Sequence, residues 1–255
     1  MPLVDELISD GWLKSPHIIE AFKTIKRADF LPDDLKELTE FNEALAIGYG
    51  QTISQPLVVA FMLELLSPQP GEKILDIGSG SGWTNALLAF ILSGGELNEK
   101  VNPVRKGKPL DSTVPSEMGS ELYLSQPSQE AELSNGVKSK NEKPNGKIIA
   151  IEIVPELCEF GKQNVAKYNF IEKGIVEFLC TDGSKGYEKE APFDKILASA
   201  SVQEKIPEPW KKQLKVGGRI VAPVENSIWL LGKKGENEFE ETEYPGFVFV
   251  PLVEK

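Results

Sequence analysis

Ile74-Leu75-Asp76-Ile77-Gly78-Ser79-Gly80-Ser81-Gly82 is a short apolar strand that runs into a glycine-rich loop. The apolar stretch behind it, 82–92, reads as a helix. The loop therefore sits at a strand-to-helix turn, where a backbone free of Cβ atoms can approach a nucleotide-like ligand closely. Working outward, the chain alternates: helix 55–66, strand 73–77, helix 82–92, strand 147–152, helix 154–168, strand 175–180. Strand 194–198, helix 207–214 and strand 219–223 follow. Short apolar strands separated by amphipathic helices predict an α/β fold, with a mostly parallel central sheet and helices on both faces. Residues 227–232 and 247–253 read as strands without a helix between them, as antiparallel edge strands would. Residues 1–54 form an N-terminal region of short helices, over 4–8 and 17–25, followed by a turn-prone segment; 55–255 carry the main domain.

Length and composition narrow the function classes. At 255 residues and 40% hydrophobic content the chain can bury one sizeable core. A formal net charge of -11 argues against a generic nucleic-acid partner, because phosphate binding rests on clustered Lys and Arg. His17 is the single histidine, which argues against a zinc site or a His-based triad, and no metal is expected. Cys158 and Cys180 are the only cysteines and suggest no disulfide framework. No apolar run reaches the ~20 residues of a membrane span, and 1–14 do not read as a signal peptide. The expectation is a cytoplasmic monomer with no membrane partner. Residues 94–146 stand apart: rich in Gly, Ser, Asn, Glu, Lys and Pro, with Tyr123 the sole aromatic. Such a composition buries too little apolar area to offset ordering entropy of roughly 1–2 kcal/mol per residue. It reads as a flexible surface insertion, with a small ordered flap as the alternative.

The glycine loop admits two ligand classes. A dinucleotide fingerprint requires G-x-G-x-x-G, and Trp83 occupies its third glycine position. Asp76 places a carboxylate at the end of the strand. Beside a pyrophosphate that charge is repulsive; beside the ammonium and sulfonium of S-adenosylmethionine it is favourable. Two more acids stand at strand ends. Glu152, followed by Ile153, ends the strand 148–151, where a carboxylate can accept hydrogen bonds from both ribose hydroxyls. Asp182, with Gly183, follows strand 175–180 and can accept from an adenine amino group. Each acid alone is commonly a solvated strand end. Together they sit at the ligand-binding edge of an open α/β sheet and point to S-adenosyl-L-methionine, with S-adenosyl-L-homocysteine as product.

Upstream lies Gly48-Tyr49-Gly50-Gln51-Thr52-Ile53-Ser54-Gln55-Pro56. With Ile74 to Gly82, this segment resembles the protein-L-isoaspartate (D-aspartate) O-methyltransferase family. The resemblance extends to Leu7-Ile8-Ser9-Asp10-Gly11, Ala21-Phe22, Arg27, Phe30-Leu31-Pro32, Leu214-Lys215-Val216-Gly217-Gly218-Arg219 and Phe249-Val250-Pro251-Leu252-Val253. It covers nearly the whole chain except 94–146. The Gln-Thr-Ile-Ser-Gln-Pro and Val-Pro-Leu-Val pieces are specific; the glycine loop is common to many methyltransferases. The resemblance implies a Rossmann-like S-adenosylmethionine-dependent methyltransferase fold. It implies that Gln51, Thr52, Ile53 and Ser54 line cofactor and substrate, with Ser54 as the active-site residue. It further implies that Asp76, Ile77, Gly78, Ser79, Gly80, Gly82, Glu152, Ile153, Asp182 and Gly183 hold the cofactor. The implied activity is methylation of the abnormal carboxylate of isoaspartyl and D-aspartyl residues in damaged proteins, which initiates their repair.

That chemistry suits the residues present. A carboxylate is ionised at pH 7, so its attack on a methyl sulfonium needs no general base, only desolvation and aim. A serine hydroxyl can hold one carboxylate oxygen and leave the other facing the methyl group. Ser54 is thus expected to position the substrate, with an N-cap of the helix opening near Pro56 as its alternative or additional role. The chain departs from the family pattern at 198–207, where a longer and more polar loop faces the substrate side. Two other readings stay open: the same fold acting on a small molecule or RNA, and a non-catalytic cofactor-binding protein.

Overall fold

The computed structural model describes residues 2–95 and 146–253. The expected insertion at 94–146 lies almost wholly outside the described residues. Helices α1 (Leu3–Ser9) and α2 (Pro16–Thr24) open the chain, followed by 3-10 turns at Arg27–Phe30 and Asp33–Leu38. Where a turn-prone segment was expected, two short strands, β1 (Leu45–Gly48) and β2 (Gln51–Ile53), pair as an antiparallel hairpin. At its tip Gly48, Tyr49 and Gly50 have φ of 93°, 56° and 72°, the left-handed backbone that tight hairpin turns need. The short strands and this glycine-bracketed tip hide the alternation that reveals longer strands.

Helix α3 (Pro56–Leu66) starts on a proline at its first position, where no N–H is needed. It leads into β3 (Lys73–Ile77), then α4 (Trp83–Leu92), β4 (Lys147–Glu152), α5 (Pro155–Ala166), β5 (Val176–Cys180) and β6 (Phe193–Ala198). Helix α6 (Glu208–Gln213) and strands β7 (Leu214–Val224), β8 (Ser227–Gly235) and β9 (Glu238–Pro245) complete the described elements. The main sheet has the order β5-β4-β3-β6-β7-β8-β9. Strands β3 to β7 are parallel, and β8 and β9 are antiparallel. One edge strand is β9, whose sequence, Glu238-Phe239-Glu240-Glu241-Thr242-Glu243-Tyr244-Pro245, is too acidic to read as a strand. That charge suits an edge, because it discourages pairing with another chain. The expected strand at 247–253 is instead an extended segment with a single bridge, Pro251 to Ser201.

Alternation along the strands divides the core. Ile74, Ile148 and Ala150 face one side, with α2, α3, α4 and α5 packed there. Leu75, Ile77, Ile149 and Ile151 face the other, covered by Trp210 of α6 and by irregular segments. Helix α4 is buried along nearly its whole length, as its unbroken apolar sequence requires. No helix among the described residues is long and apolar enough to cross a membrane.

Contrary to the sequence expectation, Cys158 and Cys180 form a disulfide. The first turn of α5 packs beside the end of β5, bringing the two Cα atoms to 5.7 Å across a sequence separation of 22. Nothing local in the sequence announces that proximity. Closing a loop of this length restricts the unfolded chain by about 3 kcal/mol. Cys158→Ser, or full reduction, should lower the unfolding free energy by about that amount in a denaturant titration.

Candidate active site

The loop after β3 lies at the point where the chain leaves the sheet on one side, towards β4, and later returns on the other, to β6. Its backbone is fixed from within. Gly78 N–H and Ser79 N–H donate to Ile151 O (2.9 and 3.0 Å), and Gly82 N–H donates to Ser79 O (2.9 Å). Gly80 N–H donates to Glu152 Oε2 (2.8 Å). Gly82 has φ 83°, and a Cβ there would lie 2.7 Å from Gly161 O and 2.8 Å from Val165 Cγ2 of α5. Its role is close packing of the loop on α5, which Asn164 reinforces by donating from Nδ2 to Ser81 O (3.0 Å).

A cavity of about 360 Å³ opens above this loop, within the size range of small-molecule sites. Gln51, Thr52, Ile53 and Ser54 of the hairpin form one wall; Ile77, Gly78, Ser79 and Gly80 form the floor. Glu152 and Ile153 stand at the end of β4, and Gly183 follows β5. Three expected residues do not line it. Gly82 packs behind the loop. Asp182 accepts from Ser184 N–H (2.8 Å) in a turn beside the cavity. Asp76 is fully buried beneath the loop, where its Oδ2 accepts from Asn85 Nδ2 of α4 (2.7 Å). Residue alternation decides this, since Ile77 turns to the cavity and Asp76 to the helix layer.

The wall also contains residues outside the set expected to hold cofactor and carry the reaction. Trp83 and Thr84, at the start of α4, border it, as do Ser199 and Ala200 and the segment 248–253. The polar loop 198–207 proves largely structural. Ser201 N–H donates to Val250 O and Leu252 N–H donates to Ser201 O (both 2.8 Å), while Val202 N–H donates to Pro223 O (3.1 Å). Only its first residues reach the cavity, and Gln203, Glu204 and Lys205 point to solvent. Ser54 does not cap α3. The N-cap position is Gln55, with no side-chain cap, and Asn42 Oδ1 accepts Leu57 N–H (3.0 Å) from outside the helix. The Ser54 side chain is left on the cavity wall.

The donor set tests which ligand fits. A pyrophosphate at a glycine loop is held by free backbone N–H groups. Here those of Gly78, Ser79, Gly80 and Gly82 are already engaged, and Glu152 adds a carboxyl group where an anion would sit. Glu152 Oε1 accepts from Ile153 and Val154 N–H (2.9 and 3.0 Å), so its two oxygens are fixed in place with acceptor capacity remaining. The arrangement suits a nucleoside ligand that carries positive charge, as S-adenosylmethionine does.

Comparison with known proteins agrees with the geometry. The sequence profile of the protein-L-isoaspartate(D-aspartate) O-methyltransferase family matches residues 1–98 and 114–255. The chain belongs to this family. A protein-L-isoaspartate O-methyltransferase of Methanopyrus kandleri is 32% identical over 255 residues, covering 98% of this chain and 89% of its relative. One from Dictyoglomus thermophilum is 33% identical over 251 residues, covering 97% and 88%. Among solved structures, the family member from Plasmodium falciparum, in complex with S-adenosyl-L-homocysteine, superposes with a TM-score of 0.72. It covers 99% of this chain and 97% of its own at 19% identity, a likeness of fold.

The placement of Asp76 has a consequence for pH. Burial pushes its carboxyl up from the ordinary 3.8 to about 7, against the lowering by the Asn85 hydrogen bond and the nearby Ser79 hydroxyl; the nearby Glu152 adds to the rise. Among the described residues, Asp76 Oδ1 and Asn85 Oδ1 are both buried without a hydrogen-bond partner, which further favours the neutral acid with its extra proton. A carboxyl raised on folding contributes stability that is fully present below its unfolded pKa and lost as pH rises through the folded one. The thermal midpoint should therefore fall from about pH 4 to about pH 7 and level off above, and Asp76→Asn should remove that slope.

Proposed function

We propose that this protein transfers a methyl group from S-adenosyl-L-methionine to the side-chain carboxylate of L-isoaspartyl residues, and of D-aspartyl residues, in damaged proteins. The observation that carries the reading is the meeting of two walls. The Gln51-Thr52-Ile53-Ser54 segment lines one cavity together with the glycine loop and Glu152, which supports adjoining cofactor and substrate sites. Bound there, S-adenosylmethionine would supply an electrophilic methyl group on a sulfonium.

The chain's own residues then have limited work to do. Glu152 Oε2, with one acceptor site left, would accept from a ribose hydroxyl, and the glycine-loop backbone, Ile77 and Ile153 would enclose the nucleoside. Ser54 would donate its hydroxyl to one oxygen of the substrate carboxylate, aiming the other at the methyl group. That carboxylate arrives ionised, so no residue must take a proton from it. Ile53, Trp83 and Ala200 border the cavity and are themselves buried, excluding water from the reacting atoms. A monomer working on protein substrates completes the reading.

An isoaspartyl peptide and its normal aspartyl twin, each offered labelled S-adenosylmethionine, test it. Base-labile label on the isoaspartyl peptide alone is the expected result. Label on neither peptide, with cofactor binding intact, would move the substrate to another class. Ser54→Ala should lower turnover roughly 10- to 100-fold, the value of one hydrogen bond to a charged group, without changing the melting temperature. Unchanged turnover would remove Ser54 from the reaction.

A further inference from the structure

Arg27 is a buried cation that the reaction does not use directly. It opens the 3-10 turn Arg27–Phe30 and is only 5% exposed. Its guanidinium collects four carbonyl groups. Nη1 donates to Thr39 O (3.3 Å) and Phe41 O (3.0 Å), and Nη2 donates to Glu43 O (2.7 Å) and Ser54 O (3.3 Å). All four belong to the segment that carries the hairpin and Ser54. The guanidinium carbon also lies 5.5 Å from the centre of the Trp83 ring, and Trp83 is both buried and on the cavity wall. A planar fork of donors is suited to gather separate carbonyls in this way; a lysine ammonium, with one nitrogen, is not. Burial lowers the Arg27 pKa to about 10, with Glu40 opposing the fall, so the group remains cationic at neutral pH.

The surrounding contacts assign the remaining degrees of freedom. Asn42 caps α3 through Leu57 N–H, and its own carbonyl accepts from Gln55 Nε2 (2.8 Å). The residues that follow Ser54 are thereby held, and the hydroxyl is relieved of capping. Resting on the function proposed above, we infer that Arg27 is the positioning residue for Ser54. Its guanidinium ties the Ser54 main chain to the wall at Trp83, so that the hydroxyl meets the substrate carboxylate at a fixed place.

A double-mutant cycle tests this, using Arg27→Lys, Ser54→Ala and the pair, with an isoaspartyl peptide as substrate. Arg27→Lys should lower kcat about tenfold or more, as misplacement of a positioning group does, while S-adenosylhomocysteine affinity changes less than about threefold. On the Ser54→Ala background the same substitution should cost less than about threefold, because the group it positions is gone. Multiplicative losses would overturn the inference and make Arg27 an independent contributor. Amide exchange on Arg27→Lys supplies a readout that needs no peptide. Faster exchange confined to 39–55 is expected. Faster exchange spreading through α3 and α4, or loss of S-adenosylhomocysteine binding through failure to fold, would overturn it by showing a general structural role. Should the unaltered protein methylate no isoaspartyl peptide, the substrate reading fails, and the exchange and cofactor-affinity data still decide whether Arg27 holds the Ser54 loop.

Discussion

The glycine loop gives its N–H groups to its own protein, and the rest of the site depends on that constraint. Gly78 and Ser79 are bonded to Ile151 O, and Gly80 is bonded to the Glu152 carboxyl. The loop is thereby sewn to the end of β4, and Glu152 is held where the cavity needs an acceptor. A turn built this way cannot also serve as an anion cradle. The difference between a dinucleotide site and a methyl-donor site thus reduces to where a few backbone donors point.

Fixing the floor leaves the opposite wall to be placed, and the protein does so with side chains that reach across long sequence distances. Glu64 of α3 accepts from Lys14 N–H, Ser15 N–H and the Ser15 hydroxyl (2.8, 2.8 and 2.6 Å), anchoring the start of α2. Asn42 anchors the start of α3 in the same manner. Arg27 gathers the segment between them. Backbone groups that short helices and irregular loops leave unpaired are satisfied from elsewhere in the fold. The N-terminal region consequently behaves as part of the site.

The parallel sheet was legible because its strands are buried on both faces and read as apolar runs between turn residues. Strands β3 and β4 fall where the pattern places them, and α4 within a residue. Elements without such runs were not legible: the hairpin β1–β2, too short to alternate, and β9, whose anchors Phe239 and Tyr244 are scattered among acids. Within the site, Gln51 to Ser54, Gly78 to Gly80, Glu152 and Gly183 meet in one cavity. Asp76 does not, because strand alternation turns its side chain towards Asn85 in the helix layer.

The sequence by itself determined the α/β architecture, the glycine turn at the sheet's switch point and the family, because these depend on local periodicity and short contiguous motifs. The tertiary structure decided which face Asp76 takes, which residue caps α3, that Cys158 meets Cys180, and that Arg27 reaches Ser54. Each of these joins groups separated by about ten or more residues in sequence. Their proximity is set by how helices and strands pack, and packing brings together side chains that no local pattern pairs.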